Sequence, residues 1–357
     1  MASRAGASGP AAGRRMAGML QRHWWRERPS LLAQALRPLS WLYRMLAVLH
    51  RALARPRRAP VPVLVVGNLV VGGAGKTPTV IALVHALHER GWHPGVVSRG
   101  YGRTHEALRE VAPGDSAAAV GDEPLLIRRR CGVPVWVGRD RVAAASALCA
   151  AHPGVDLVIA DDGLQHHRLA RDAECVVFDE RGAGNGLLLP AGPLREPLPA
   201  ALPPQRALLY TGGVASTALP GALARRALVQ AWPLAAWARG DVGAAKPLQA
   251  LQGRMLLAVA GIAAPQKFFA MLDAAGLRFE PRPLPDHHAY ATLPWPPAAG
   301  VVTTEKDAVK LDPSQPGTAG VWVLPLDFEL PAALVDALHR RLRAAPRAPR
   351  RPQAPSR

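Results

Sequence analysis

The sequence predicts an α/β fold with two units, a parallel-sheet unit that carries a phosphate-binding loop and a smaller α/β unit after it. One observation is the apolar, β-branched run from Val61, which breaks into the glycine turn Gly72–Gly75. Such a run is typical of a strand buried on both faces of a parallel sheet. Strand-like and helical patterns then alternate along the chain. An apolar segment with regularly spaced arginines, residues 18–58, predicts an amphipathic helical segment before the sheet.

The glycine turn brings a lysine and a hydroxyl group to the start of a predicted helix. The residues of this phosphate-loop candidate are Gly72, Gly73, Ala74, Gly75, Lys76, Thr77 and Pro78. In such a loop the backbone N–H groups and the helix N-terminus face a phosphate, the lysine reaches the outer phosphates, and the hydroxyl ligates Mg²⁺. Val70 stands where the full pattern has glycine, so the loop has the compact GGxGKT form. We interpret it as a nucleotide-binding loop, and a plain strand-to-helix turn is the alternative.

Composition limits the class of protein. A chain of 357 residues, 49 % of them hydrophobic, is long enough for two modest domains with ample core. The formal charge of +18 indicates an anionic partner, which can be nucleic acid, acidic lipid or a phosphorylated substrate. The cysteines, Cys131, Cys149 and Cys175, are widely spaced and show no metal-ligand pattern, so we expect them in the core of a protein from a reducing compartment.

The N-terminal segment has the pattern of a membrane-surface helix. Residues 1–17 are small, polar and basic, without the apolar run of a secretory signal, and we expect a disordered lead-in. Within 18–58, Arg37, Arg44 and Arg51 are seven residues apart and form one stripe on a helix. No uncharged run reaches the roughly 18 residues needed to span a bilayer.

Tryptophans strengthen this interpretation, because Trp24, Trp25 and Trp41 are candidate anchors at a membrane interface. Pro38 predicts a bend or two shorter helices. The basic run 55–58 fits anionic head groups or a solvated linker. An ordinary helix that packs on the main domain is the alternative.

The parallel-sheet unit is expected over residues 59–200. A helix over 79–90 and a strand over Pro94–Ser98 follow the phosphate loop, and the next loop carries Arg99 and Tyr101 between glycines. Ligands bind at the carboxyl ends of the strands in open α/β sheets, so this loop is either a ligand-closing loop or a solvated one. Asp122 begins a further helix, where an acidic residue also suits the helix dipole.

Two aspartates, Asp161 and Asp162, leave the apolar strand predicted over 156–160. Phosphate-loop enzymes keep a carboxylate for Mg²⁺ in that position, and simple turn formation is the alternative. After a strand over 174–179, an extended loop rich in proline and glycine contains one charged pair, Arg195 and Glu196.

The smaller α/β unit is expected over residues 201–343. Its strand-like runs are 207–211, 255–260, 300–304 and 320–325, and its helical patterns are 264–276 and 331–343. Residues 344–357, rich in proline, alanine and arginine, are expected to form a disordered basic tail.

Seven motifs together resemble the tetraacyldisaccharide 4′-kinase family of lipid A biosynthesis. The matching stretches are GGAGKTP from Gly72, SRGYGR from Ser98, GDEP from Gly121, DDGLQH from Asp161, GPLRE from Gly192, PDHH from Pro285 and TTEKD from Thr303. Each motif alone is weak, but the seven stand in the family's order over roughly residues 20 to 330. The resemblance implies ATP-dependent phosphorylation of the 4′-hydroxyl of a tetraacylated glucosamine disaccharide 1-phosphate. It also implies Mg²⁺ as a cofactor and peripheral binding to the cytoplasmic face of the bacterial inner membrane.

The resemblance also implies roles for single residues. Lys76 and Thr77 correspond to the phosphate and Mg²⁺ contacts, and Asp122 and His287 to the catalytic aspartate and its histidine partner. Asp161 and Asp162 correspond to the acidic pair near Mg²⁺ and the γ-phosphate, and either of them can be the metal ligand, with Asp161 the expected one. The expected active-site or substrate positions are Arg99, Tyr101, Gln165, His166, Arg195 and Glu196. We therefore predict a dyad of Asp122 and His287 across the cleft between the two units, in which the carboxylate is the base.

Three other classes compete with this interpretation. An ATPase of the deviant phosphate-loop class, cycling on membrane or nucleic acid, usually has a second lysine before the two glycines, and Val71 stands there. A nucleic-acid-binding NTPase would account for the charge, but the arginines cluster in the tails and near 55–58 without interleaved aromatic residues, so no nucleic acid is expected. A plain scaffold leaves the seven polar motifs unexplained.

Overall fold

The computed structural model describes residues 21–346, and in it the chain folds around two β-sheets. The expected disordered stretch 1–17 lies outside the described residues, as does the expected tail 344–357 apart from residues 344–346. The helices are α1 (Leu31–Ala35), α2 (Arg37–Leu53), α3 (Lys76–His88), α4 (Ala117–Val120), α5 (Asp122–Cys131), α6 (Arg141–Ala151), α7 (Leu234–Arg239), α8 (Pro265–Ala274), α9 (Glu305–Ala308) and α10 (Ala332–Arg343).

The strands of the first sheet are β1 (Val63–Gly67), β2 (Pro94–Ser98), β3 (Arg109–Glu110), β4 (Val135–Val137), β5 (Leu157–Asp161), β6 (Ala173–Phe178), β7 (Arg206–Tyr210) and β8 (Ala222–Leu223). The remaining strands are β9 (Arg225–Ala227), β10 (Gln230–Pro233), β11 (Lys246–Pro247), β12 (Met255–Ala260), β13 (Arg278–Pro283), β14 (Val301–Thr304), β15 (Val321–Leu324) and β16 (Asp327–Glu329).

The first sheet has the order β3-β4-β2-β5-β1-β6-β7-β8, and every pair in it is parallel except β3 with β4. All residues of β1, β2, β5 and β6 are buried, as the apolar runs predict for strands covered on both faces. Because parallel strands end at one edge, the loops after β1, β2, β5 and β6 meet there. This edge carries most of the polar motifs.

The second sheet has the order β11-β10-β15-β14-β12-β13, in which β12 to β15 run parallel and β10 is antiparallel to β15. Strands β9 and β16 pair with each other in a two-stranded ribbon; β9 precedes the second sheet in the chain and β16 follows it. The second sheet is therefore an insertion between the two ribbon strands. One continuous cluster of buried apolar side chains includes residues of both sheets, such as Leu64 and Val301.

Two elements that we expected in the smaller unit belong with the first sheet. Strand β7 pairs in parallel with β6, from Glu174–Arg206 to Phe178–Tyr210. Helix α10 packs on α3, β6 and β7. The prediction that the parallel sheet ends near residue 200 was wrong for these elements. A proline-rich loop separates β7 from β6 in sequence, and the inserted second sheet separates α10 from the first sheet, so only long-range packing decides where they belong.

The N-terminal segment forms α1 and α2, which confirms the expectation of two shorter helices, with Pro38 in the first turn of α2. Ser40 is the one buried residue of α2, and its large apolar side chains are exposed. These exposed side chains are Leu39, Trp41, Leu42, Met45, Leu46, Val48, Leu49 and Leu53. Within residues 21–346 no helix combines the length and apolarity that a membrane crossing requires.

Trp24 does not have the exposed position expected of an interfacial anchor. It is buried, and its indole N–H donates to the carbonyl of Pro190 at 2.9 Å. Trp41, in contrast, is 64 % exposed. The tryptophans look equivalent in sequence, but Trp24 precedes the helices and packs into the loop that follows β6.

Candidate active site

The phosphate-loop candidate lies between β1 and α3, at the carboxyl edge of the first sheet. Gly72 and Gly75 have φ of 101° and 85°, which side chains other than glycine rarely adopt. A Cβ on Gly75 would also lie only 3.0 Å from the ring of Phe328 on the ribbon, so the ring would have to shift to admit a side chain. Lys76, Thr77 and the helix-starting Pro78 form the first turn of α3. The loop therefore presents the N-terminus of a three-turn helix and a lysine to one space, as an anion site requires.

A buried asparagine orients this lysine. Asn68 follows β1, accepts a hydrogen bond from Lys76 Nζ at 3.1 Å, and donates to the carbonyl of Gly72 at 3.0 Å. The side chain thus ties the lysine to the backbone of the loop. Asn68 was not among the predicted site residues, although an asparagine directly after a buried strand is a signal for such a role.

Residues after β6 also stabilise the phosphate loop, and we call this set of contacts the brace. The guanidinium of Arg181 donates to the carbonyl of Gly73 at 2.8 Å and pairs with the buried carboxylate of Asp179 at 2.8 Å. It also stacks over the ring of Trp25, 4.3 Å from the centroid. Lys267 on α8 reaches the same carboxylate at 2.9 Å. Residues from the N-terminal segment, the first sheet and the second sheet therefore converge behind the phosphate loop.

The two aspartates at the end of β5 lie next to the loop and have different environments. Asp162 has φ of 49°, a strained conformation for a residue with a side chain, and its Oδ1 lies 3.5 Å from Lys76 Nζ and 3.6 Å from Arg195 Nη1. Asp161 is buried and accepts a hydrogen bond from Ser98 Oγ at 3.1 Å. Burial, together with the charges of Asp162 and Glu123, raises the pKa of Asp161 to about 7.

These residues fit a magnesium ion shared with phosphates. Asp161 is a buried carboxylate whose charge no ion pair offsets among the described residues, and Asp162 Oδ1 lacks a hydrogen-bond partner there. Mg²⁺ prefers oxygen ligands and is usually held by one or two carboxylates plus phosphate oxygens and water. Accordingly, residues 21–346 contain no cluster of three or more His, Cys, Asp or Glu side chains that could hold a metal by itself. Thr77 lies in the first turn of α3, half-buried.

A polar chain of contacts extends from Asp162 to the GPLRE loop. Arg195 Nη1 donates to Gln165 Oε1 at 3.2 Å, and Gln165 Nε2 donates to Glu196 Oε1 at 2.9 Å. The hydroxyl of Tyr43 on α2 donates to the carbonyl of Arg195 at 3.0 Å. The structure therefore connects four of the predicted site residues, and it ties them to the N-terminal helix.

The SRGYGR and GDEP loops pack against each other through glycines. Gly100 and Gly121 have φ of 66° and 97°, and a Cβ on Gly100 would lie 2.7 Å from the carbonyl of Val120. This close approach places the backbone of Tyr101 against Gly121, directly before α5, and leaves the ring of Tyr101 exposed. The ring centroid of Tyr101 lies 6.2 Å from that of His287.

Asp122 and His287 are in direct contact. His287 Nδ1 lies 3.0 Å from Asp122 Oδ2, and His287 has φ of 58°, a strained conformation that the loop after β13 imposes. The hydrogen bond with Asp122 raises the pKa of His287, against the effect of burial. Burial opposes ionisation of Asp122, but the hydrogen bond from His287 and the charge of Lys310 outweigh it and lower the pKa of Asp122.

Lysines of the TTEKD region surround this pair. Lys306 Nζ lies 3.2 Å from Glu123 Oε1 and 3.7 Å from Asp286 Oδ1, and it is 3.4 Å from His287 Nε2. Lys310 Nζ lies 3.5 Å from Asp122 Oδ2. Lys306 lies in the TTEKD motif and Lys310 three residues after it, and no role was predicted for either lysine, because only the fold brings α9 beside α5.

Two of the predicted site residues stand apart from these contacts. His166 Nε2 is buried, without a hydrogen-bond partner among the described residues and 3.9 Å from Asp140, and burial with the charge of Arg141 lowers its pKa to about 4. Arg99 is exposed and forms no ion pair with any residue of 21–346. His288, next to His287, accepts a hydrogen bond from the N–H of Tyr290 at 3.1 Å and supports the loop.

Comparisons with known proteins match the chain over most of its length. The model of the family described as tetraacyldisaccharide-1-P 4′-kinase matches residues 32–343. The tetraacyldisaccharide 4′-kinase of Methylibium petroleiphilum is 52 % identical over 356 residues, which cover 96 % of this chain and 98 % of that protein. The tetraacyldisaccharide 4′-kinase of Leptothrix cholodnii is 51 % identical over 335 residues, covering 91 % and 95 %.

A solved structure is similar to the whole fold. It is the crystal structure described as the "apo" form of LpxK from Aquifex aeolicus in complex with ATP. Its TM-score is 0.73 at 28 % sequence identity, and the alignment covers 87 % of this chain and 100 % of that one. The similarity therefore extends over both sheets.

Proposed function

The chain belongs to the tetraacyldisaccharide-1-P 4′-kinase family, and we propose that it transfers the γ-phosphoryl group of ATP to the 4′-hydroxyl of a tetraacylated glucosamine disaccharide 1-phosphate. It is an ATP-dependent phosphotransferase that acts on a hydroxyl group in lipid A biosynthesis. The observation that carries the site assignment is the contact between Asp122 and His287 beside the phosphate loop.

The phosphate loop and the dyad belong to one site. Lys76 contacts Asp162, and the neighbouring Asp161 accepts a hydrogen bond from Ser98 at the end of β2. The loop after β2 packs against Gly121, directly before Asp122. ATP phosphates held at Lys76 would therefore face a carboxylate and a histidine within the same cleft.

The reaction needs a base for the acceptor and positive charge for the phosphates. The acceptor oxygen forms a bond to the γ-phosphorus while the bond from that phosphorus to the β,γ-bridging oxygen breaks, and ADP leaves. The hydroxyl proton goes to the carboxylate of Asp122, which its cationic neighbours keep ionised. His287 holds that carboxylate, and Lys76 and the N–H groups of the loop bind the phosphates.

Mg²⁺ is the metal that this donor set fits, with Asp161 and Thr77 as its protein ligands. When bound, the ion would neutralise charge on the transferring phosphates. Asp162 is left to hold Lys76 and Arg195 in place, since both cations lie within 3.6 Å of its Oδ1.

The acceptor is proposed to enter from the GPLRE side. Arg195, Glu196 and Gln165 form a connected polar surface there, which suits sugar hydroxyls and a phosphate. Tyr43 links this surface to α2, whose exposed apolar face would lie in the acyl boundary of the membrane. A lipid acceptor stays in the bilayer, so we propose a peripheral seat on the anionic cytoplasmic face of the inner membrane.

One assay tests the proposed function. ATP consumption is measured with and without a tetraacylated disaccharide 1-phosphate, and the lipid product is analysed by mass spectrometry for one added phosphate at the 4′ position. We expect consumption that depends on the disaccharide and a matching product. A rate of ATP hydrolysis that does not depend on the disaccharide but increases with vesicles that lack it would instead favour a membrane-cycling ATPase.

A further inference from the structure

A buried lysine lies against the carboxylate of Asp122. Lys310 follows α9, its side chain is 7 % exposed, and its Nζ has no hydrogen-bond partner among the described residues. The nearest anionic atoms are Asp122 Oδ2 at 3.5 Å and Asp307 Oδ1 at 3.7 Å. The ring of Tyr290 lies 5.9 Å away. Burying an ammonium group without hydrogen bonds costs several kcal/mol in general, so this placement requires a compensating role.

The hydrogen bonds of Asp307 do not depend on this lysine. Both carboxylate oxygens of Asp307 accept from the N–H of Gly261 at 3.1 Å, and Oδ2 also accepts from the hydroxyl of Thr304 at 2.7 Å. Asp307 therefore has hydrogen-bond partners on both oxygens before Lys310 is counted. Lys310 is the one cation paired with Asp307 among the described residues, so its charge acts on both carboxylates, and it lies nearer to Asp122.

The side-chain contacts of Asp122 involve only one of its two carboxylate oxygens, among the described residues. His287 Nδ1 and Lys310 Nζ both approach Oδ2, at 3.0 Å and 3.5 Å. No side chain of residues 21–346 forms a hydrogen bond or an ion pair with Oδ1. The two carboxylate oxygens are thus distinguished by the fold, one held by cations and the other free to accept a proton.

We propose that Lys310 is a positioning residue for the phosphoryl transfer: with His287 it holds Oδ2 of Asp122, so that Oδ1 takes the proton of the acceptor hydroxyl. This inference rests on the proposed function. Lys310 does not touch the reacting atoms; it acts through Asp122, by orientation and by charge.

The electrostatics agree with this geometry. The charged groups around the Asp122–His287 pair come from three elements: Glu123 on α5, Asp286 and His287 after β13, and Lys306 and Lys310 in and after α9. Of these, His287 and Lys310 contact Asp122 itself, and Glu123 and Asp286 contact Lys306. Burial raises the pKa of Asp122, but the hydrogen bond from His287 and next the charge of Lys310 offset it, and the pKa is lowered overall. An opposite charge within about 6 Å typically lowers a carboxyl pKa by about 1–3 units.

The test compares Lys310→Met with Lys310→Arg and with the matched control Lys246→Met, an exposed lysine on β11. The readout is the pH profile of disaccharide-dependent kcat. For Lys310→Met we expect the acidic limb to move up by about one pH unit and kcat to fall at least about tenfold, with KM for ATP nearly unchanged. Lys310→Arg should keep the acidic limb near that of the parent, and Lys246→Met should match the parent throughout.

A double-variant cycle covers the case in which Lys310→Met is destabilised. If the lysine acts through the carboxylate, adding Lys310→Met to Asp122→Asn should cost little further activity. An equal fold-loss in both backgrounds, or an acidic limb that does not move in Lys310→Met, would overturn the inference. A parent protein without disaccharide-dependent ATP consumption would overturn the proposed function instead, so the two failures are distinguishable.

Discussion

The Nδ1 of His287 lies 3.0 Å from the Oδ2 of Asp122, although the two residues are 165 positions apart in the chain. Asp122 begins α5 beside the first sheet, and His287 follows β13 at the edge of the second. The pair therefore exists only where the two sheets meet. Catalysis by this pair would depend on their relative position as well as on the chemistry of each group.

The first prediction concerns the dyad. Asp122→Asn and His287→Ala should each lower kcat for disaccharide phosphorylation, by about 10²–10⁴-fold for the aspartate, because they remove the base and the group that holds it. Thermal unfolding of each variant checks that the fold is kept, and His93→Ala, at an exposed histidine, is the matched control. Turnover within a few-fold of the parent in both dyad variants would show that the pair is not catalytic.

The pH dependence of stability gives a second prediction. The pKa of Asp122 is lowered from 3.8, so its contribution to the free energy of unfolding is present above about pH 4. That contribution is lost as the pH falls through the pKa of the folded state. The pKa of His287 is raised from 6.5, so its contribution is fully present below pH 6.5 and is lost as the pH rises through the folded-state value.

The two contributions overlap between about pH 4 and 6.5. The free energy of unfolding in urea should therefore differ most between the parent and the Asp122→Asn, His287→Gln double variant in that window. Above it the histidine part of the difference should disappear. A difference that stays constant from pH 4 to 9 would contradict the assigned pKa directions.

The third prediction concerns the brace behind the phosphate loop. Arg181→Ala should raise KM for ATP by about tenfold, because it removes a charge-assisted hydrogen bond to the carbonyl of Gly73. The KM for ATP of Arg181→Lys should lie between those of the parent and Arg181→Ala, since lysine keeps the charge but lacks the planar stack over Trp25. Arg225→Ala, at an arginine whose side chain is 84 % exposed, is the control. An unchanged KM for ATP in Arg181→Ala would rule out the brace.

The fourth prediction assigns the metal ligand. Asp161→Asn should raise the Mg²⁺ concentration needed for half-maximal activity more than Asp162→Asn does, because Asp162 is already paired with Lys76 and Arg195. A chelator should abolish turnover in all forms, and added Mg²⁺ should restore it. The measurement is a Mg²⁺ titration at saturating ATP. A larger shift in Asp162→Asn would reverse the assignment.

The fifth prediction tests the exposed face of α2. The triple variant Trp41→Glu, Met45→Glu, Leu49→Glu should lose sedimentation with vesicles that contain anionic lipid, because it places charge on the apolar face. It should stay folded, since Ser40 is the one buried residue of α2. Leu223→Glu, another exposed apolar position, is the control. Full retention on vesicles by the triple variant would contradict a membrane role for this face.

Local patterns predicted much of the fold. Strands Pro94–Ser98 and Met255–Ala260 have the bounds that their apolar runs indicate, and the glycine turn before Lys76 leads into a helix as its composition predicts. Pattern reasoning missed β13, because Pro281 and Pro283 argue against a strand, yet β13 lies at the edge of the second sheet where proline is tolerated. It also placed β7 in the wrong sheet, since pairing is a long-range choice.

The same contrast between local patterns and long-range pairing applies to the candidate site. The phosphate loop and the acidic pair at the end of β5 could be read from the chain, because each is a short stretch whose chemistry depends on adjacent residues. The environment of Asp122 could not be read in this way. His287 follows β13, and Lys306 and Lys310 follow β14, far along the chain from Asp122. The family resemblance predicted the pairing with His287, but no local pattern specifies the contacts of the two lysines.

The seven motifs, in their order along the chain, were enough to identify the family and the phosphate-binding strand, turn and helix, since these depend on local residue types and spacing. The tertiary structure alone decided that the second sheet is inserted between β9 and β16 and that its loops return to the first sheet. It also decided which oxygen of Asp122 is held and which is free. The physical reason is that burial and charge pairing act between residues far apart in sequence, and only the packed chain brings those partners together.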